Sequence, residues 1–148
     1  MTMSNNNKYM QLALDMALTS GKDIPVGCVI VKDSKVIAKA VNTREKTNDI
    51  SAHAEIMALR EASRVLGNWR LSGCKLYVTL EPCPMCAWAI LNSRADEIYF
   101  GSYDTKYGAF GSKINLVNIS DFKPKVFGGI MEDECNRVLE KYFLELRK

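Results

Sequence analysis

Apolar residues recur along the chain in two periods, and the points where one gives way to the other mark out the elements. From Lys8 to Ser20 they fall at Tyr9, Leu12, Ala13, Met16 and Ala17, the spacing of a helix with one buried face. Gly21 suits its stop, and the Asn-rich opening ahead of it is expected to fray. Val26-Gly27-Cys28-Val29-Ile30-Val31 is a continuous apolar run of strand length. Lys32-Asp33-Ser34 reads as a turn, and Lys35 to Val41 returns as a second strand, so the two form a hairpin. Asn42 to Ile50 is polar and reads as loop. Ser51 is the expected cap of a helix in which Ile56, Leu59, Ser63 and Leu66 share a face and which stops at Gly67. Lys75 to Leu80 is a third strand. Pro84 opens the next helix, at a position where its missing N–H costs nothing. Asp96 to Phe100 reads as a fourth strand, Gly101 to Ser112 as a loop rich in glycine and aromatics, and Lys125-Val126-Phe127 as a fifth strand. Glu132 to Arg147 closes the chain as a helix, with Cys135, Val138, Leu139, Tyr142, Phe143 and Leu146 at helical spacing.

A helix, a hairpin and then strand–helix alternation imply an α/β fold: a three-layer α/β/α sandwich around a central mixed five-stranded sheet. Residues 1–148 are expected to form one domain, with a right-handed βαβ crossover from Lys75 through Phe100. In such folds ligands sit beyond the carboxyl ends of the strands, where helix N-termini point. The composition is that of an ordinary globular protein, 47% hydrophobic and 25% charged. A net charge of +3 permits a nucleic-acid partner without requiring one. Met1-Thr2-Met3-Ser4-Asn5-Asn6-Asn7 carries no apolar leader pattern, and no apolar run reaches the roughly 20 residues that span a bilayer. Together with an odd cysteine count of five, this places the expected location in a reducing cytoplasm, with no membrane partner.

The chemistry concentrates in Glu81-Pro82-Cys83-Pro84-Met85-Cys86, directly after the third strand. Cys83 and Cys86 fall on the first turn of the Pro84 helix, whose dipole favours thiolates. Alone, the Cys-x-x-Cys fits a redox pair, half of a structural zinc site or part of a catalytic one. Upstream, Ala52-His53-Ala54-Glu55 holds the only histidine of the chain and a carboxylate two positions later. One imidazole and two thiolates make a three-ligand zinc set that leaves a coordination position for water. A structural site needs a fourth ligand, which Cys28, Cys74 or Cys135 would have to supply, yet each reads better as a small buried thiol. A thioredoxin-like role leaves His53 and Glu55 unexplained. His-x-Glu followed by Pro-Cys-x-x-Cys is the signature of zinc deaminases of nucleobases. Zinc brings the pKa of a water down to about 7, and one carboxylate beside it, Glu55, can take a proton and return it to the substrate. Asn42 stands either as a hydrogen-bonding partner of a base or as a plain loop residue.

Longer stretches carry a resemblance. Pro25-Val26-Gly27, Ala52 to Arg60, Leu76 to Ala87, Phe100 to Lys106, Gly108 to Ser112 and Glu132 to Cys135 resemble the bacterial tRNA-specific adenosine deaminases of the cytidine/deoxycytidylate deaminase superfamily. The likeness runs from about Tyr9 to Phe143. It implies the cytidine-deaminase-like fold, a homodimer, one zinc ion per chain, and conversion of the wobble adenosine in a tRNA anticodon stem-loop to inosine. The family's zinc ligands match His53, Cys83 and Cys86, and its proton shuttle matches Glu55. Its base pocket matches Asn42, Val26 and the backbone at Ala54, and the Asp104–Lys106 loop matches the segment that meets the anticodon. Three positions depart from the pattern. Trp88 stands where the family more often has a small residue, Tyr103 is bulky, and the basic tail is reduced to Arg147-Lys148. The zinc motif is shared with deaminases of free guanine, cytosine or cytidine, so only the region from Gly101 to Ser112 separates those from a tRNA enzyme. A non-catalytic RNA-binding subunit with structural zinc would have no use for Glu55.

Overall fold

Alternation along three neighbouring strands sorts the interior into two cores. The computed structural model describes residues 4–147, so the first three residues and Lys148 lie outside it. α1 (Asn5–Ala17) is followed by β1 (Gly27–Lys32), β2 (Lys35–Val41), a short α2 (Arg44–Thr47) and α3 (Ala54–Leu66). Then come β3 (Cys74–Leu80), α4 (Pro84–Ser93), β4 (Glu97–Ser102), a 3₁₀ turn (Leu116–Ile119), β5 (Lys125–Phe127) and α5 (Glu132–Leu146). The sheet has the order β2-β1-β3-β4-β5. β1 is antiparallel to both β2 and β3, while β3, β4 and β5 run parallel, so the sheet is mixed as expected.

Cys28, Ile30, Leu76, Val78, Ile98 and Phe100 face one side, where Ala54, Ala58 and Ala62 of α3 and Ala87, Ile90 and Leu91 of α4 cover them. Val29, Val31, Tyr77 and Tyr99 face the other, under Tyr9, Met10, Ala13 and Leu14 of α1 and Cys135 of α5. That is the three-layer α/β/α arrangement. Ile30, Leu76, Ile90 and Ile98 are wholly buried, each contributing about 1.5–3 kcal/mol by leaving water. The Tyr77 ring stacks on Tyr99 at 4.7 Å between centroids, and Tyr99 on Phe127 at 5.1 Å, which ties β5 to the sheet. At Gly27 the backbone of α1 comes so close that a Cβ would meet the Ala13 carbonyl oxygen at 1.9 Å. Among the described residues, no helix is long and apolar enough to cross a membrane.

Several expectations need correction. The Asn-rich opening is not frayed: Ser4 caps α1 by accepting from the Asn7 N–H at 3.2 Å, and Tyr77 donates to Asn6 Oδ1 at 2.7 Å. The polar stretch after β2 contains α2, ended by Asn48 in the left-handed conformation. The N-cap of α3 is His53 rather than Ser51, whose hydroxyl turns to Asp49 at 2.7 Å. The buried face of α3 is its small residues and Leu59, with Ile56, Ser63 and Leu66 only half covered, because β2 lies close beneath. In α5 only Cys135 is buried, where the helix meets β4 at Gly101; Phe143 and Leu146 are exposed on its distal turns, where Tyr142 donates to the Lys22 carbonyl at 3.0 Å.

Candidate active site

Two helix N-termini converge where β3 ends. α3 begins after His53 and α4 after Cys83, so each N-cap is one of the predicted metal ligands. Pro84 occupies the first position of α4 and sets its φ for the helix. Neither cap uses its side chain to satisfy the first-turn N–H groups, which leaves positive backbone dipole facing the site. His53 Nδ1 lies 3.8 Å from Cys83 Sγ and 3.4 Å from Cys86 Sγ. One ligand atom from each of the three residues lies within 4.8 Å of the other two. An imidazole nitrogen with two sulfurs is a donor set that suits zinc, and three ligands leave a tetrahedral position open.

The electrostatics follow from packing acids together without a metal. The Cys86 thiol donates toward Cys83, and with help from His53 this holds the Cys83 thiol down at about 4. Cys86 is raised in turn by the same hydrogen bond and by burial, so the pair carries one negative charge. Hydrogen bonding to Cys83 raises His53. Glu55 stands in the first turn of α3, 4% exposed. Burial, reinforced by the Cys83 thiolate, pushes its carboxyl up to about 7, the range in which a group can both take and give a proton at neutral pH.

These groups open into a cavity of about 410 Å³. Its floor holds His53, Glu55 and Cys83, with Cys86 buried beneath. Val26, Asn42, Ala54 and Asp104 line the cavity as well. Asn42 is buried, with Nδ2 donating to the Ile24 carbonyl at 3.3 Å and Oδ1 accepting from the Arg44 N–H at 3.4 Å. Asp104 spends one carboxylate oxygen on its own turn, accepting from the N–H groups of Lys106 and Tyr107 at 3.0 Å each. Lys106 does not line the cavity; it is exposed, with its ammonium 5.3 Å from the Tyr107 ring.

A family model for the cytidine and deoxycytidylate deaminase zinc-binding region matches residues 3–102, the span that holds His53, Glu55, Cys83 and Cys86. The chain belongs to this deaminase family. It is 41% identical over 99% of its length to a tRNA-specific adenosine deaminase of Bacillus subtilis, covering 93% of that protein. A structure from studies of A-to-I editing by tRNA:A34 deaminases at the wobble position of transfer RNA superposes with a TM-score of 0.86. It shares 41% identity over 89% of this chain and 99% of its own. A guanine deaminase of Bacillus subtilis gives a TM-score of 0.66 and 38% identity over 69% of this chain and 67% of its own. The deaminase family is zinc-binding, and the His53, Cys83 and Cys86 donor set fits that metal.

Sequence reasoning missed several residues of the deaminase cavity. Ile24, Leu80 and Tyr107 line it, Arg44 stands at its mouth, and Glu81 forms part of the wall. Glu81 lies inside the stretch singled out in the sequence, where no role is read for it. The structure shows its carboxylate 2% exposed and fully engaged. Oε1 accepts from the Asp104 N–H at 3.1 Å and from the Ser112 hydroxyl. Oε2 accepts from the Phe110 and Ser112 N–H groups at 3.1 Å each. Asp23, also buried, does the same for α2 by accepting from the N–H groups of Glu45 at 2.7 Å and Lys46 at 3.3 Å.

Proposed function

We propose that this chain hydrolytically deaminates adenosine to inosine at the wobble position of a tRNA anticodon. The carrying observation is a buried carboxylate, Glu55, beside a three-donor metal cluster in a base-sized cavity. The relatives named above, matched over nearly the full chain, support the tRNA substrate. His53, Cys83 and Cys86 are assigned as the zinc ligands, one ion per chain, and Glu55 as the proton shuttle. Bound zinc supplies Lewis acidity that makes a water nucleophilic near neutral pH.

The remaining work belongs to the chain's own groups. Glu55 takes a proton from the attacking water and delivers it to N1 of the purine. After C6 has gained the water oxygen, a second transfer through Glu55 protonates the amine, and ammonia departs as the carbonyl forms. Asn42 and the Ala54 N–H hold the polar edge of the base, and Val26 packs on its face. Ala54 starts a helix, so its N–H has no partner inside that helix. A base in a single-stranded loop reaches such a cavity by swinging out of its stack, which costs less there than in a duplex. Asp104 and Lys106 are assigned to contacts with the anticodon loop around that base.

The partner is an anticodon stem-loop, and the working form is a homodimer in the cytoplasm. Exposed Met85 and Trp88 on α4, with Ile119 on the 3₁₀ turn packed beside it, supply apolar surface for a second copy. The guanine deaminase likeness keeps a free-purine substrate as the second reading. Incubation of the zinc-loaded protein with a stem-loop bearing a wobble adenosine, and separately with guanine, decides between them. Inosine formation at far higher kcat/KM than guanine turnover is expected, and the reverse order overturns the assignment.

A further inference from the structure

We propose that Glu81 is a positioning residue: its buried carboxylate fixes the 104–112 segment against the cavity and so sets how tightly the RNA loop is gripped. The inference rests on the tRNA reading above. Glu81 directly follows β3, and among the described residues no lysine or arginine forms an ion pair with it. A carboxylate buried without a cation is tolerable only when hydrogen bonds replace its water. All four donors to Glu81 come from one segment: three backbone N–H groups and the Ser112 hydroxyl. An apolar side chain would fill the same space at lower cost, but it would leave those three N–H groups unpartnered. The charge is explained by what it holds.

The anchored points, Asp104 at one end and Phe110 and Ser112 at the other, bracket the exposed residues Thr105, Lys106 and Tyr107. Tyr107 lines the cavity mouth, so fixing the ends fixes the part that meets a substrate. Gly108 shows how closely the segment is applied. A Cβ there would sit 2.4 Å from the Glu81 carboxyl carbon and 2.4 Å from the Asp104 carbonyl oxygen. The Ala109 N–H also donates to the Pro82 carbonyl at 2.9 Å, so the segment lies directly over the turn that leads into Cys83.

Glu81→Gln tests this. In either orientation the amide turns its NH₂ toward at least one backbone N–H, because both carboxylate oxygens accept from the backbone. Full-length, zinc-loaded protein is compared with wild type by amide hydrogen exchange, by binding of a fluorescent anticodon stem-loop, and by single-turnover inosine formation at saturating RNA. The expected result is faster exchange confined to residues 104–112, a Kd raised about tenfold or more, a saturated rate within about threefold of wild type, and unchanged zinc. Ser112→Ala removes the hydroxyl donor alone, at an exposed position. It should move exchange and Kd the same way by about two- to threefold, and it decides the matter if Glu81→Gln does not fold. Unchanged exchange overturns the proposal, as does faster exchange with unchanged Kd. A saturated rate that falls as far as the affinity, or loss of zinc from folded protein, overturns it too, since Glu81 would then act through the Cys83 turn. If wild type forms no inosine, the tRNA reading fails, while the exchange data still report whether Glu81 anchors the segment.

Discussion

Glu55→Gln should make the metal-stripped protein more stable while abolishing most of its activity when zinc is restored. The Glu55 carboxyl is held at about 7, against 4.5 for a free glutamate side chain, chiefly because it is buried. A folded-state pKa above the unfolded one means that the folded protein binds this proton more tightly. Stability from this group is therefore intact below about pH 4.5 and is lost as pH rises to about 7, after which the loss is constant. The interval corresponds to about 3 kcal/mol. A glutamine of the same shape avoids the cost of the buried charge. Urea melts of chelator-treated protein should show the variant ahead by about 3 kcal/mol at pH 8, with the gap closing by pH 4.5. With zinc restored, the variant loses proton transfer in the transition state, a factor of about 10²–10⁴ or roughly 3–5 kcal/mol. Single-turnover inosine formation measures this, beside a zinc assay on the same sample. Equal stabilities at pH 8 would show that the carboxylate is not paying for burial. Turnover near that of wild type, with zinc present, would assign the shuttle to another group. Loss of zinc and turnover together would make Glu55 a support of the metal.

Cys83→Ala and Cys86→Ala are each expected to lose zinc by elemental analysis and to melt earlier, since metal binding couples to folding. Cys28→Ser, on the wholly buried inner face of β1, should retain about one equivalent. In metal-stripped protein the Cys83 thiol, held at about 4, should react with iodoacetamide at pH 6 far faster than the buried Cys28, Cys74 or Cys135, and added zinc should protect it. Mass spectrometry of the labelled peptides checks this, and uniform labelling would contradict the charge distribution described here. Sedimentation at micromolar concentration should give a dimer that Trp88→Asp converts to monomer; a monomeric wild type would end that reading.

What could be read from sequence follows from how local the causes are. The five strands come out within about two residues of expectation, because runs such as Val29-Ile30-Val31 and Leu76-Tyr77-Val78 carry their burial in their own composition. The hairpin turn is legible for the same reason. Asp33 and Ser34, the two residues between β1 and β2, both take positive φ, the geometry that matches strand twist. The metal cluster is legible although His53 stands 30 residues before Cys83, because it is the only histidine of the chain and each half carries a short motif, His-x-Glu and Pro-Cys-x-x-Cys. Less visible were features settled by distant partners. Ser51 has the chemistry of a cap, but Asp49 claims it, and His53 takes the cap position because its ring is needed at the site. The spacing of Phe143 and Leu146 is helical, yet nothing in it reveals that α5 meets the sheet at Cys135 and leaves these distal side chains exposed. The Asp104–Lys106 loop reads as one segment meeting the anticodon, and the structure separates its ends, with Asp104 lining the cavity and Lys106 carried outward by the turn that Asp104 caps. Glu81 had no apparent partner, since its donors lie 23 to 31 residues on.

The architecture divides the site into two parts with different physical requirements. His53, Glu55, Cys83 and Cys86 stand at the first turns of two long helices packed on the sheet, and such positions hold donor atoms within the tenths of an ångström that metal and proton chemistry need. The walls that would meet a substrate are the α2 loop, with Asn42 and Arg44, and the 104–112 segment, with Asp104 and Tyr107. Neither belongs to the sheet, and each is tied down by one buried carboxylate, Asp23 for the first and Glu81 for the second. A loop held by a few hydrogen bonds to one acid can be replaced with its anchor while the helix N-termini stay where they are. The likeness at the helix N-termini therefore speaks to deamination in general. Under the proposed function, the choice between a free purine and a base presented on RNA would fall to the two anchored loops, in the second of which Lys106 and Tyr107 are exposed.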